Sequence, residues 1–158
     1  MDAWDAWSLA GIYLSCFGLS VVSALVPWVN GEILLLSFTA TASSFSDTAS
    51  LVFAAAAGQM IGKCVLYWTA RQGLSTRSRF IRGSMKSWIE RLQSSALNRQ
   101  WLIFLSSTVG IPPFYVISIL AGTLRLHFGG FLGAGMCGRL VRFSLLAAVP
   151  QLAFRLIS

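Results

Sequence analysis

The sequence predicts an all-α fold: a polytopic integral membrane protein with two re-entrant helical hairpins and spanning helices in an inverted repeat. Three observations predict it. Of 158 residues, 56% are hydrophobic and only 11% are charged. A soluble domain carries roughly a quarter charged residues, and a core of this size cannot hide so much apolar surface behind so few charges. The charges are also segregated. Glu32 is the one charge between Ala6 and Ser46, and Lys63 the one between Thr48 and Ala70. None occurs from Gln100 to Leu124, and Arg139 and Arg142 are the two from Leu126 to Phe154. Finally, proline interrupts an apolar stretch once in each half, at Pro27 and at Pro112–Pro113.

The elements follow in order. Leu9 to Val26 is an apolar arm that ends at VPWVNGE, where Pro27 and Gly31 break a helix. Ile33 to about Phe45 returns, but its length reaches only about 20 Å, too short to span. Together, residues 9–45 form the first re-entrant hairpin. Residues 49–70 are long enough to cross, with Trp68 and Arg71 as interfacial anchors at the end. Arg71 to Arg99 holds seven Lys/Arg and one acid. There Ile81, Met85, Trp88, Leu92 and Ala96 recur at helical spacing, which predicts an amphipathic surface helix over 75–98. Residues 101–124 form a second hairpin broken at GIPP, and 131–149 form a second span. All belong to one membrane domain, 1–158.

Each half thus has a proline-broken hairpin followed by a glycine-bearing helix, with Gly58 and Gly62 in the first and Gly135 and Gly138 in the second. Paired interrupted segments of this kind point to a transport site near the bilayer midplane. The basic block should face the cytoplasm, which places the chain in a cell membrane, inner or plasma. The N-terminus, MDAWDAWS, carries Asp2 and Asp5 where a signal peptide requires positive charge. The net charge of +7 follows from basic cytoplasmic loops, so no nucleic-acid partner is expected. Cys16, Cys64 and Cys137 lie far apart and give neither a disulfide framework nor metal spacing. No metal and no cofactor are expected.

The site candidates come from the rare polar residues. A carboxylate at membrane depth is costly and functional by default, which makes Glu32 the proton-exchanging candidate. Its local role is to complement the dipole of the arm capped by Asn30. Arg139 and Arg142, at i and i+3, share one helix face and can fork onto a phosphate or pair with Glu32. Lys63 shares a face with Tyr67. Pro112 and Pro113 suit a helix's first turn, which would leave free N–H groups at the hairpin tip for an anion. Gly58-x-x-x-Gly62 permits close packing on the second span or on a hairpin arm. An enzyme is not expected. The one histidine, His127, sits in a short loop, no GxSxG occurs, and no nucleophile–base pair can be assembled.

Three stretches carry a family resemblance: VPWVNGEILLL (26–36), GQMIGKCVLYWTARQG (58–73), and GIPPFYVISILAGTLR (110–125) with GAGMCGRLVRF (133–143). The chain resembles the DedA superfamily, the VTT or SNARE-associated membrane proteins, and most closely their short bacterial branch. The resemblance implies hairpins that meet head to head in the membrane. It also implies movement of lipid, by scrambling or by proton-driven flipping of phospholipids or polyprenyl phosphates. Lys63 stands where many members carry an acid. Ser106, Ser107 and Phe114 stand where longer members place arginines. The implied partners are membrane lipids and protons, and a homo-oligomer is left open. An ion-coupled solute transporter and a non-transporting structural or homeostasis protein are the alternatives.

Overall fold

The computed structural model describes residues 3–26, 29–40, 42, 44–73, 90, 92 and 96–157. Among these residues every regular element is a helix: α1 (Ala3–Leu25), α2 (Gly31–Thr39), α3 (Phe45–Arg71), α4 (Ala96–Val109), α5 (Phe114–Thr123) and α6 (Phe128–Ile157). Length sorts them. The 27 residues of α3 rise about 40 Å, more than a hydrocarbon core of roughly 30 Å. Phe45–Arg71 and Phe128–Ala148 are both long and apolar enough to cross. By contrast, α2, α4 and α5 hold 9, 14 and 10 residues and reach only about 14, 21 and 15 Å. The apolar part of α1 is Ala10–Leu25, also shorter than a span.

Several boundaries differ from the sequence reading, each for a local reason. The second arm ends at Thr39 and α3 begins at Phe45 rather than Ala49. Ser44 and Asp47 form a capping box there: the Asp47 N–H donates to Ser44 Oγ at 3.2 Å and the Ser44 N–H donates to Asp47 Oδ2 at 3.1 Å. α6 begins at Phe128 rather than Phe131 because His127 Nδ1 accepts the Gly130 N–H at 3.3 Å and so caps it. α6 also continues through Pro150 to Ile157. α4 begins at Ala96 rather than Trp101. The amphipathic helix expected over 75–98 falls outside the described residues except at 90, 92 and 96–98, and Pro27 also lies outside them.

The prolines of the second break do not form the first turn of a helix as expected. Pro113 is the N-cap and α5 starts at Phe114. The Pro113 carbonyl accepts the N–H groups of Val116 and Ile117 at 2.9 and 3.3 Å, and Ser106 Oγ donates to the Pro112 carbonyl at 2.6 Å. Gly110 sits at φ +85°, a conformation that a side chain would strain.

The chain divides into two compact units, one of Met1–Gly62 with Leu140–Ser158 and one of Lys63–Arg139. Small residues seat the helices in each. In the first, a Cβ on Gly58 would lie 2.5 Å from the Phe17 carbonyl oxygen and 3.0 Å from Ser20 Cβ, so α3 meets α1 backbone to backbone. A Cβ on Gly62 would lie 2.5 Å from Ala24 Cβ. In the second, Gly138 of α6 sits against Phe104 and Ser107 of α4, and Gly122 of α5 sits against the Tyr67 carbonyl of α3. Ser20, Ser23 and Gln59 are buried in the first unit, as are Ser106, Ser107 and Ser118 in the second. Meanwhile Leu14, Phe53, Leu97, Trp101 and Leu145 are exposed. A soluble protein has the opposite arrangement. Small polar residues between helices with aliphatic residues outward is how helices pack in lipid.

Candidate functional site

Four charged residues of the apolar stretches fall into two clusters, Glu32 with Arg142 in the first unit and Lys63 with Arg139 in the second. In the first unit Asn30 caps α2 by accepting the Glu32 N–H at 2.9 Å on its side-chain oxygen. That cap fixes Glu32 in the first turn, where its charge meets the positive end of the helix. The Glu32 carboxylate accepts from Arg142 Nη2 of α6 in an ion pair, the two side chains being 32% and 24% exposed. Gly31 opens α2 rather than breaking a helix. Its missing side chain leaves room for the buried Gln59 amide, whose Nε2 donates to Ser23 Oγ at 3.3 Å.

In the second unit two cations gather at the start of α5. Lys63, only 6% exposed, holds its Nζ 5.3 Å from the centre of the Tyr115 ring. The Arg139 guanidinium lies 5.1 Å from the centre of the neighbouring Phe114 ring. The two cations thus lie over adjacent rings of α5, Lys63 on Tyr115 and Arg139 on Phe114. Both cations rest on ring faces, where the quadrupole offsets part of the cost of their burial. The rings continue as a stack: Phe114 lies on Phe131 at 5.9 Å and Phe131 on Tyr67 at 5.1 Å. Tyr67 OH donates to the Leu126 carbonyl at 2.5 Å and accepts from Arg71 Nη1 at 2.7 Å. Aromatic and polar contacts thus run from Arg71, at the end of α3, to Arg139.

Position along the helix gives these charges weight. Arg139 and Arg142 lie 11 and 14 residues after Phe128, the start of α6, about 17 and 21 Å along its axis and inside its apolar stretch Phe128–Ala148. A cation at that depth costs about 2.5–3.5 kcal/mol on insertion scales. Lys63 lies eight residues from Arg71, about 12 Å along the axis. Its side chain is buried under Tyr115 rather than extended to an interface.

The clusters draw on residues that sequence reasoning did not select. Tyr115 and Phe114 supply the ring faces, and Ser106 ties down the break. Phe114 and Tyr115 directly follow the double proline and Ser106 precedes it by six residues; Ser106 and Phe114 stood out in the sequence only as positions where longer relatives place arginines. Among the described residues no three His, Cys, Asp or Glu side chains come together, and Cys16, Cys64 and Cys137 are free thiols. Among known families, the model of the VTT domain matches residues 26–151, most of the chain. No curated protein and no solved structure matches it.

Proposed function

The chain belongs to the VTT-domain family, the DedA or SNARE-associated membrane proteins, and from that premise we propose that it moves an amphipathic anionic lipid across the bilayer. The cargo is a phospholipid or a polyprenyl phosphate, and the protein acts as a flippase or scramblase without covalent chemistry. One observation carries the reading. Lys63 and Arg139 share a mostly apolar, aromatic-walled cluster at the start of α5, at membrane depth. A membrane protein retains such charges where they meet an ion or a headgroup, and a phosphate answers two cations.

The short helices support re-entrant hairpins, α1–α2 and α4–α5. The matching glycine seats of the two units support a repeat, which the basic segment 71–99 orients with that segment in the cytoplasm. The Glu32–Arg142 pair supplies the proton-sensitive element. Protonating Glu32 removes the charge that holds Arg142, leaving the guanidinium for a passing headgroup. The membrane is a cell membrane, inner or plasma.

The test is reconstitution of the full chain in liposomes with a headgroup-labelled phospholipid and an impermeant quencher. Quenching beyond the outer leaflet is expected. Arg139→Ala should slow it by about tenfold, the worth of one charge-assisted contact, and Glu32→Gln should flatten its dependence on pH. Quenching unaffected by either change would detach transport from these residues. Quenching no greater than in empty liposomes, for both a phospholipid and a labelled polyprenyl phosphate, would leave a solute transporter or a structural protein.

A further inference from the structure

A second feature of the Lys63–Arg139 unit lies away from the aromatic-walled cations. Where α4 and α6 begin, a cavity of about 250 Å³ is lined by Arg99, Gln100 and His127 together with Ile103, Leu126, Gly130 and Phe131. Beside it an open groove of about 230 Å³ runs between Leu97, Trp101 and Phe104 of α4 and Ala134 of α6. Gln100 lines both. The first space holds a guanidinium, an imidazole and an amide among apolar walls, the second is apolar, and Gln100 joins them.

We propose that this pair is a binding site for one anionic phospholipid, held as a resident ligand rather than as cargo. The phosphate lies against Arg99, Gln100 and His127, and an acyl chain lies in the groove. Four observations support that occupant over a soluble anion. The cavity stands at the right depth: His127 directly precedes Phe128, where the bilayer-crossing window of α6 begins, so it lies at headgroup level. Trp101 is exposed at the same level, the usual place for an interfacial tryptophan. One face of α4 is a stripe of exposed apolar side chains, Leu97, Trp101, Leu105 and Val109, each four residues from the last, which suits acyl chains.

The fourth observation is chemical. His127 Nδ1 accepts the Gly130 N–H, which leaves Nε2 as the protonated, donating nitrogen of the neutral ring. Arg99 adds the cation and Gln100 an amide donor. Among the described residues no acid lines the cavity. An anionic headgroup is therefore favoured over a zwitterionic one, and inorganic phosphate alone would leave the groove unfilled.

The inference requires membrane residence but not transport. The full chain is purified in a neutral detergent, stripped of lipid, and titrated with phosphatidylglycerol, with phosphatidylcholine of the same chains, and with inorganic phosphate. Retained lipid is read by native mass spectrometry, and the unfolding midpoint is followed in parallel. Phosphatidylglycerol should be held about tenfold more tightly than phosphatidylcholine, the value of one charge-assisted contact. Arg99→Gln with His127→Gln should erase that preference. Arg125→Gln, which removes one charge outside the cavity, should keep it. Ala134→Phe, which fills the groove, should weaken both lipids alike without lowering helix content.

Equal retention of the two lipids would overturn the proposal, as would a preference that survives the double substitution. Stabilisation by inorganic phosphate equal to that by phosphatidylglycerol would assign the cavity to a soluble anion instead. Transport that fails while lipid retention persists would sink the proposed function and leave this site standing.

Discussion

Two glycines of one helix should respond to alanine with opposite signs. A Cβ on Gly138 would lie 2.7 Å from the Phe104 carbonyl oxygen, 2.9 Å from Thr108 Oγ1, and within bonding range of Ser107 Oγ. The serine can rotate away only by giving up its 3.0 Å bond to the Phe104 carbonyl, and the carbonyl is backbone and cannot rotate at all. Ordinary contact begins near 3.4 Å, so α4 and α6 must part by about 0.7 Å at this level. Overpacking of that size costs about 1–3 kcal/mol, against about 0.5–1 kcal/mol returned by removing glycine from a helix. The net is a loss of roughly 1–2 kcal/mol. Gly133, five residues earlier, has nothing within 4 Å of its Cβ position, so only the gain remains. In thermal unfolding of the purified chain, Gly138→Ala should lower the midpoint by a few degrees, at about 2–4 °C per kcal/mol for a chain of this size. Gly133→Ala should raise it slightly. A Gly138→Ala midpoint at or above that of Gly133→Ala would refute the close seat of α4 on α6. Because Arg139 is the next residue, the same substitution should also slow lipid movement, and Gly133→Ala should not.

Three other outcomes follow from named contacts. Glu32→Gln and Arg142→Gln, combined in a double-mutant cycle of unfolding free energy, should couple by about 1–2 kcal/mol, and additivity within about 0.3 kcal/mol would show that the ion pair does not hold. Tyr115→Leu removes the ring face beneath Lys63 and should destabilise by about 0.5–2 kcal/mol, whereas Tyr115→Phe keeps the face and most of the stability; equal losses would rule out the cation–ring contact. Ser44→Ala should cost about 1 kcal/mol of unfolding free energy, because the capping box that starts α3 is lost, and Ser44→Asp should retain most of it; no difference between the two would place the start of α3 elsewhere.

What was legible in the sequence was whatever depends on composition and breaks. The segregation of Glu32, Lys63, Arg139 and Arg142 gave the membrane class, and Gly110 with Pro112–Pro113 gave the division between α4 and α5. Helix starts were less legible, because a cap is a hydrogen bond rather than a composition. Asp47 read as a solvated loop residue or a helix cap, and its reciprocal bonds with Ser44 make it the cap; His127 read as a loop histidine, and its ring caps α6. The pairings of the charges were the least legible. Spacing alone allowed Arg139 and Arg142 the same partner, yet Arg142 reaches Glu32 and Arg139 turns to Phe114. The choice is made by which helix start each residue is packed against, and that is tertiary information.

A local likeness between the two units yields a further test. Gly58 and Gly138, 80 positions apart, make the same kind of contact. One sits on Phe17 and Ser20, the other on Phe104 and Ser107, a phenylalanine and a serine three residues on in both cases. The residue after each glycine is then carried to the start of a short helix. In the first unit that residue is Gln59, whose amide fills the space left by Gly31 and bonds Ser23. In the second it is Arg139, whose guanidinium lies over Phe114. Glycine at one helix start and phenylalanine at the other therefore decide whether an amide or a cation can be held there. Arg139→Gln should consequently keep the fold, with an unfolding loss no larger than the cation–ring contact of about 0.5–2 kcal/mol, while lipid movement falls by about tenfold. Gln59→Arg should fail differently. It places a longer, charged group in a buried space sized for an amide, with no ring face beneath it, at a cost of about 3 kcal/mol or more in folding. If Gln59→Arg unfolds no more readily than Arg139→Gln, the two seats are not built as described.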